Sequence, residues 1–203
     1  LSRFLAILLI VALGVGFLAG LLATTPDMRQ STDAYYDETN LMDIRVVSTL
    51  GLTAADLEAV ADAPGIERAE LAYTADALFE TPYSDATVTR VHSLPLDRLE
   101  DGATLNRISL AEGRYPREKG ECLVLSATLN PVQVGDVVRL SGENQDLGDT
   151  FAIDSFTVVG IARSSYYLSI EREPSTVGNG KVGMVLFTGE DSFGLSAYTD
   201  LYA

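Results

Sequence analysis

An α+β fold is predicted: one transmembrane helix, then an external mixed α/β domain containing a β-α-β unit and an inserted small β-rich module. Three observations predict it. Residues 4–23 form an uncharged run of 20 residues. Residues 44–94 alternate between strand-like and helix-like texture. Beyond Gly102, short apolar runs are punctuated by Gly, Asn and Pro, the pattern of short strands and turns.

The run FLAILLIVALGVGFLAGLLA, at about 1.5 Å per residue, spans about 30 Å, the thickness of a bilayer's hydrocarbon core. A signal peptide has a shorter apolar stretch, about 7–15 residues. Leu21-Leu22-Ala23-Thr24 is also a poor cleavage site. A retained helix over residues 1–24 is therefore expected. Arg3 precedes it, while Asp27, Asp33, Asp37 and Glu38 follow. The positive-inside tendency then places the N-terminus in the cytoplasm and residues after about 24 outside. Gly16 and Gly20 form a GxxxG pair near Ala12 and Ala19, a candidate helix-packing face, since small residues let another helix approach. Against that stands the ordinary abundance of Gly and Ala in such helices. Because it begins with Leu1, the chain reads as an N-terminal fragment.

Thr25-Pro26-Asp27 reads as a helix start, with a cap, a proline suited to the first helical position and an acid at the positive end. The polar helix that follows, within residues 25–42, either begins there or continues the membrane helix as a stalk kinked at Pro26. Residues 44–50 are strand-like and Gly51 ends them. Thr53-Ala54-Ala55-Asp56 is a capping-box start, Leu57, Val60 and Ala61 recur at helical spacing, and Pro64-Gly65 stops the helix. Strands are expected over 67–79 and 86–94. In the second half they are expected at 121–126, 137–140 and 182–187, with 151–156 and 157–163 joined into one. Asn130-Pro131 marks a break, 142–150 a polar loop, 178–180 a turn and 189–193 a short helix. Leu201-Tyr202-Ala203 opens a further strand. The resulting division is a transmembrane helix (1–24), a stalk (25–42), an external α/β domain (43–101), an inserted β-rich module (102–170) and a return to the α/β domain (171–203).

Charge and composition narrow the function. The chain has 14 Lys and Arg against 29 Asp and Glu, and only Arg3 precedes the apolar run. Such an exterior repels phosphate backbones, so nucleic acid is no partner. Cys122 is the single cysteine and His92 the single histidine. An internal disulfide and a thiolate or His-rich metal site are thereby ruled out. Cys122 in Cys122-Leu123-Val124-Leu125 reads as a small buried hydrophobe. Acid pairs such as Glu100-Asp101 and Glu190-Asp191 fall at turns and helix starts. Ser164-Ser165 lacks a nucleophile elbow. Gly178-Asn179-Gly180-Lys181 lacks the spacing of a phosphate loop, and 143–149 lacks a calcium pattern. No catalytic, cofactor-binding or metal residue is assigned, and no cofactor is expected.

Four segments carry a resemblance. They are Ala12-Leu13-Gly14-Val15-Gly16-Phe17 continuing to Pro26-Asp27-Met28; Tyr35-Tyr36-Asp37 with Asn40-Leu41-Met42-Asp43-Ile44-Arg45-Val46 and Ser48-Thr49-Leu50-Gly51-Leu52; Glu112-Gly113-Arg114-Tyr115-Pro116 with Gly120-Glu121-Cys122-Leu123-Val124-Leu125; and Val134-Gly135-Asp136-Val137-Val138 with Phe156-Thr157-Val158-Val159-Gly160-Ile161. In this order they resemble the first membrane helix and external domain of FtsX-like ABC transporter permeases with a MacB-like periplasmic core. The resemblance implies a cell-membrane permease subunit that couples ATP hydrolysis by a cytoplasmic ABC ATPase to export or release of a substrate. It also implies a second permease copy or paralogue as dimer partner. Such a chain is a transport component and not an enzyme. Gly113 and Gly135 are expected to serve turns. The alternatives are a singly anchored extracytoplasmic binding or sensor module, and an acid-pair hydrolase.

Overall fold

The computed structural model describes residues 1–99, 104–126, 132–145, 147–169, 171 and 173–203. Glu100-Asp101, Gly102 and Asn130-Pro131 lie outside the described residues. The chain divides into two compact units, Leu1–Glu38 and Thr39–Ala203.

Helix α1 runs over Ser2–Thr39, 38 residues, with Pro26 inside it. The fresh start expected at Thr25 is not made. Pro26 removes a single N–H and already holds a helical φ, whereas a new start would orphan a full set of helix-end groups. The hydroxyls of Thr24 and Thr32 fold back onto the carbonyls of Gly20 and Met28, 2.8 Å each. Among the described residues α1 is long and apolar enough to cross a membrane, and its most apolar stretch is wholly exposed.

In chain order the strands are β1 (Arg45–Leu52), β2 (Glu70–Ala72), β3 (Thr74–Thr81), β4 (Ser84–Leu94), β5 (Ile108–Gly113), β6 (Glu121–Leu125), β7 (Val137–Leu140), β8 (Ser155–Ser164), β9 (Met184–Gly189) and β10 (Tyr198–Tyr202), with α2 (Ala54–Ala61) between β1 and β2. A small sheet has the order β1-β10-β2, with β10 antiparallel to both neighbours. The β-α-β unit is therefore split, its two parallel strands separated by β10. The Thr53 backbone N–H and hydroxyl both donate to Asp56 Oδ2, at 2.8 and 2.7 Å, which starts α2 as its sequence predicts. Gly51 does not end β1. It lies inside the strand, where the register to β10 shifts.

The strand expected over 67–79 is two strands. β2 joins the small sheet and β3 the large one, and Tyr73 sits between them, stacked on Phe193 and Tyr198 with ring centroids 5.2 and 4.5 Å apart. The large sheet has the order β5-β8-β6-β9-β4-β3-β7, and β7 also pairs with the start of β8. Six strands thereby close into a ring. Strands from 43–101, 102–170 and 171–203 all contribute to it. Alternate residues point inward, so Phe79, Val91, Cys122, Val124, Val138, Phe156, Val158 and Leu186 fill its interior. A second cluster, including Leu94, Leu123, Val159, Val185 and Phe187, packs on the outer face with Tyr115 and Tyr167.

Two further readings are corrected. β8 begins at Ser155, and Phe151 makes only an isolated bridge to Phe193. Gly113 serves no turn: it ends β5 opposite Gly160. With φ at +79°, a Cβ there would stand 2.3 Å from the Val159 carbonyl oxygen, so only glycine permits this approach.

Candidate functional site

The second unit grips the chain where it leaves α1. Asn40 follows the helix with φ +46° and Asn106 has φ +52°; these are the positive-φ residues other than glycine among the described residues. Asparagine tolerates this left-handed conformation because its short amide bonds locally, and at Asn40 it ends the helix. The two meet. The Asn106 N–H donates to the Asn40 carbonyl (2.8 Å), and the Arg107 N–H to the Thr39 carbonyl (2.8 Å). Asn40 Nδ2 donates to the Thr104 carbonyl (3.3 Å), and Asn106 Oδ1 accepts the Met42 N–H (3.1 Å). The segment 104–107 is tied to β2 in turn, since the Leu105 N–H donates to Glu70 Oε2 (3.2 Å). Burial holds the Glu70 carboxyl above its ordinary range despite that bond and nearby Arg98 and Arg68.

A second tie comes from the 3-10 turn Ser165–Tyr167 after β8. The Thr39 hydroxyl donates to Ser165 Oγ (2.7 Å), buried. Tyr166 Oη accepts from Arg45 Nη1 (2.9 Å), and Arg45 Nε donates to Asp200 Oδ1 (2.5 Å). Burial opposes the Arg45 charge, but the bond and attraction of Asp200 outweigh it and raise its pKa. Tyr167 Oη bonds His92 Nε2, while His92 Nδ1 bonds Thr74 Oγ1 (2.9 Å). The His92 ring stacks on Phe187, centroids 5.6 Å apart. Burial drives this imidazole down to about 3, so it is neutral in the folded protein. β1, β4, β10 and the 3-10 turn thus share one hydrogen-bonded cluster, with both helix-exit ties at its margin.

Of the residues singled out by sequence, His92 and Ser165 fall in this cluster, Ser165 as a buried hydrogen-bond partner of Thr39. Gly16 and Gly20 are exposed on α1, and a Cβ at either would meet nothing within 4 Å. Cys122 is buried inside the ring, where burial pushes its thiol up. Gly178 packs on Val88 and Leu78. Among the described residues no group of three or more His, Cys, Asp or Glu side chains is placed to hold a metal. Sequence reasoning missed Asn40, Asn106, Arg45 and Asp200 as partners. A signal existed only for Asn40, an asparagine just after a helix.

The family model of the MacB-like periplasmic core domain matches residues 4–189. No curated protein matches. Among solved structures, the periplasmic region of MacB from Actinobacillus actinomycetemcomitans is similar at 9% identity and TM-score 0.45, over 77% of this chain and 64% of that one. The extracellular domain of the noncanonic ABC-type transporter YknZ from Gram-positive bacteria is similar at 9% identity and TM-score 0.44, over 76% and 73%. The chain thus spans less than two thirds of the MacB periplasmic region.

Proposed function

Because this chain belongs to the MacB-like periplasmic core domain family, we propose that it is the first membrane helix and most of the external domain of an ABC transporter permease subunit. Its role there is to couple ATP hydrolysis on a cytoplasmic ATPase to export or release of a substrate outside. The observation that carries the reading is the continuity of α1. Its 38 residues give a rod of about 57 Å, well over the ~30 Å hydrocarbon core. The chain leaving it is held at once by the Asn40–Asn106 and Thr39–Ser165 bonds. Residues 39–42, which follow the rod, belong to a unit in which the hydrogen-bonded cluster reaches both sheets. A set of discrete bonds shared by packed elements is what mechanical coupling requires.

In this reading the N-terminus is cytoplasmic, residues 25–42 form the stalk and the remainder lies outside the cell membrane. The Gly16–Gly20 face packs against a further helix of the permease dimer, formed with a second copy or a paralogue. The lipid bilayer surrounds the rest of the span, whose exposed Leu, Ile and Phe side chains suit hydrocarbon. The test is purification of the native protein in mild detergent. An ABC ATPase should accompany it in fixed stoichiometry, and its ATPase rate should respond to Asn106→Ala. Recovery of the protein without an ATPase sinks the proposal.

A further inference from the structure

Strand β3 is covered along only part of its edge away from β4. β7 pairs with Phe79 and Glu80 alone. In an antiparallel strand, successive residues turn their N–H and C=O to opposite neighbours. Leu78 faces away from β4: its N–H donates to Asn144 Oδ1 (2.8 Å), and its carbonyl accepts from the Ser141 N–H (2.9 Å) and Asn144 Nδ2 (2.8 Å). Thr74 faces the same way, its N–H donating to Thr199 Oγ1 (2.6 Å). Asp76 lies midway between them and must therefore also turn its N–H and carbonyl outward. Among the described residues neither group has a partner.

Asp76 borders a groove of about 550 Å³ that Glu143, Asn144, Gln145, Leu147 and Thr150 line on one side and Thr176, Val177 and Gly178 on the other. Ala75, Leu78, Leu147 and Val177 give it apolar walls, and Glu143 stands on it, exposed. The Asp76 carboxylate is already committed, its oxygens accepting from Arg90 Nε (2.7 Å) and Nη2 (2.8 Å). Among the described residues, what the groove offers is thus a backbone donor, a backbone acceptor, aliphatic walls and the uncommitted acid Glu143.

We propose that this groove binds an extended peptide segment carrying a basic residue, which joins the β3 edge opposite Asp76. One residue of an extended peptide supplies an acceptor and a donor at the spacing that the Asp76 N–H and carbonyl require, as in other strand additions. The volume suits a short peptide and excludes a folded domain. Glu143 makes no ion pair among the described residues, and the chain carries a net charge of −15. Both favour a cationic side chain over an anionic one. The site shares no lining residue with the helix-exit clamp and does not depend on the transport reading.

The probe is the blocked tripeptide acetyl-Val-Lys-Val-amide, titrated into the full chain in nanodiscs while the Asp76 amide is followed by NMR and hydrogen exchange. The Asp76 signal should shift saturably and its exchange should slow about tenfold. The same peptide N-methylated at every backbone nitrogen should bind at least about tenfold more weakly, because it cannot donate. Replacing lysine by glutamate should weaken binding, and Glu143→Lys, at an exposed position, should reverse that preference. An unmoved Asp76 amide, equal binding of the methylated peptide, or a charge preference untouched by Glu143→Lys would each overturn the proposal.

Discussion

Asn106 is the most informative position to change. Asn106→Ala does two things at once. It removes the oxygen that accepts the half-buried Met42 N–H at 3.1 Å, which costs about 1–2 kcal/mol. It also places a Cβ residue without a local hydrogen bond at φ +52°, which costs about 1–2 kcal/mol more. The total is about 2–4 kcal/mol, borne locally by the clamp. Asn106→Gly removes the oxygen but not the conformational freedom, so it should cost about 1–2 kcal/mol. Asn106→Asp keeps an acceptor and tolerates the conformation, so it should stay within about 0.5 kcal/mol. Amide hydrogen exchange of the full chain in nanodiscs reads this directly. Met42, Asn106 and Arg107 should exchange about 30–900 times faster in Asn106→Ala, less so in Asn106→Gly and little in Asn106→Asp. If all three variants exchange alike, the clamp does not hold the helix exit and cannot serve as its coupling point.

Three further outcomes are expected. His92 is held at about 3 against an ordinary 6.5, so below pH 6.5 the unfolded chain takes up a proton that the folded one refuses. Its share of stability is present above pH 6.5 and falls by about 1.4 kcal/mol per unit toward pH 3; His92→Gln should flatten the urea-unfolding profile between pH 6.5 and 5, and an unchanged slope refutes this. Glu121 is held at about 2 by its hydrogen bond from Arg114, against an ordinary 4.5, so its contribution is present above pH 4.5 and lost toward pH 2; Glu121→Gln should lessen acid sensitivity only in that lower window. Glu70 and Glu190, raised by burial, act in the opposite sense, which is why each variant is compared with wild type. Finally, Gly113→Ala meets both a positive φ and the Val159 carbonyl, whereas Gly135→Ala meets the φ alone, with nothing within 4 Å; thermal unfolding should show Gly113→Ala the worse by about 1–3 kcal/mol.

Local patterns were legible wherever one segment decided its own structure. The Thr53–Asp56 cap, β7 and the turn at 178–180 follow from nearby residues, and the apolar run of α1 from length alone. Partnership between distant strands was not legible. Nothing near residues 67–79 announces that Tyr73 divides two sheets, because the division is made by Tyr198 and Phe193, over a hundred residues away. β5 escaped notice because its apolar positions, Ile108 and Leu110, are too few to show a period. The clamp was hidden for the same reason: Asn40 and Asn106 are ordinary loop residues until the fold sets them side by side.

The small sheet also sets a timetable. Its middle strand, β10, is the last of the three in sequence, and Arg45 pairs with Tyr202. At about 5–20 residues per second, β1 and β2 emerge roughly 6–30 s before the strand that joins them. During that interval the exposed β1 side chains Val47 and Leu50 stand on a strand with no neighbour on either side, open to mispairing. The ring strands β3 and β4, a hairpin adjacent in sequence, need no such wait. Chaperone binding to nascent chains should therefore concentrate on residues 44–52 and end when residue 202 becomes available.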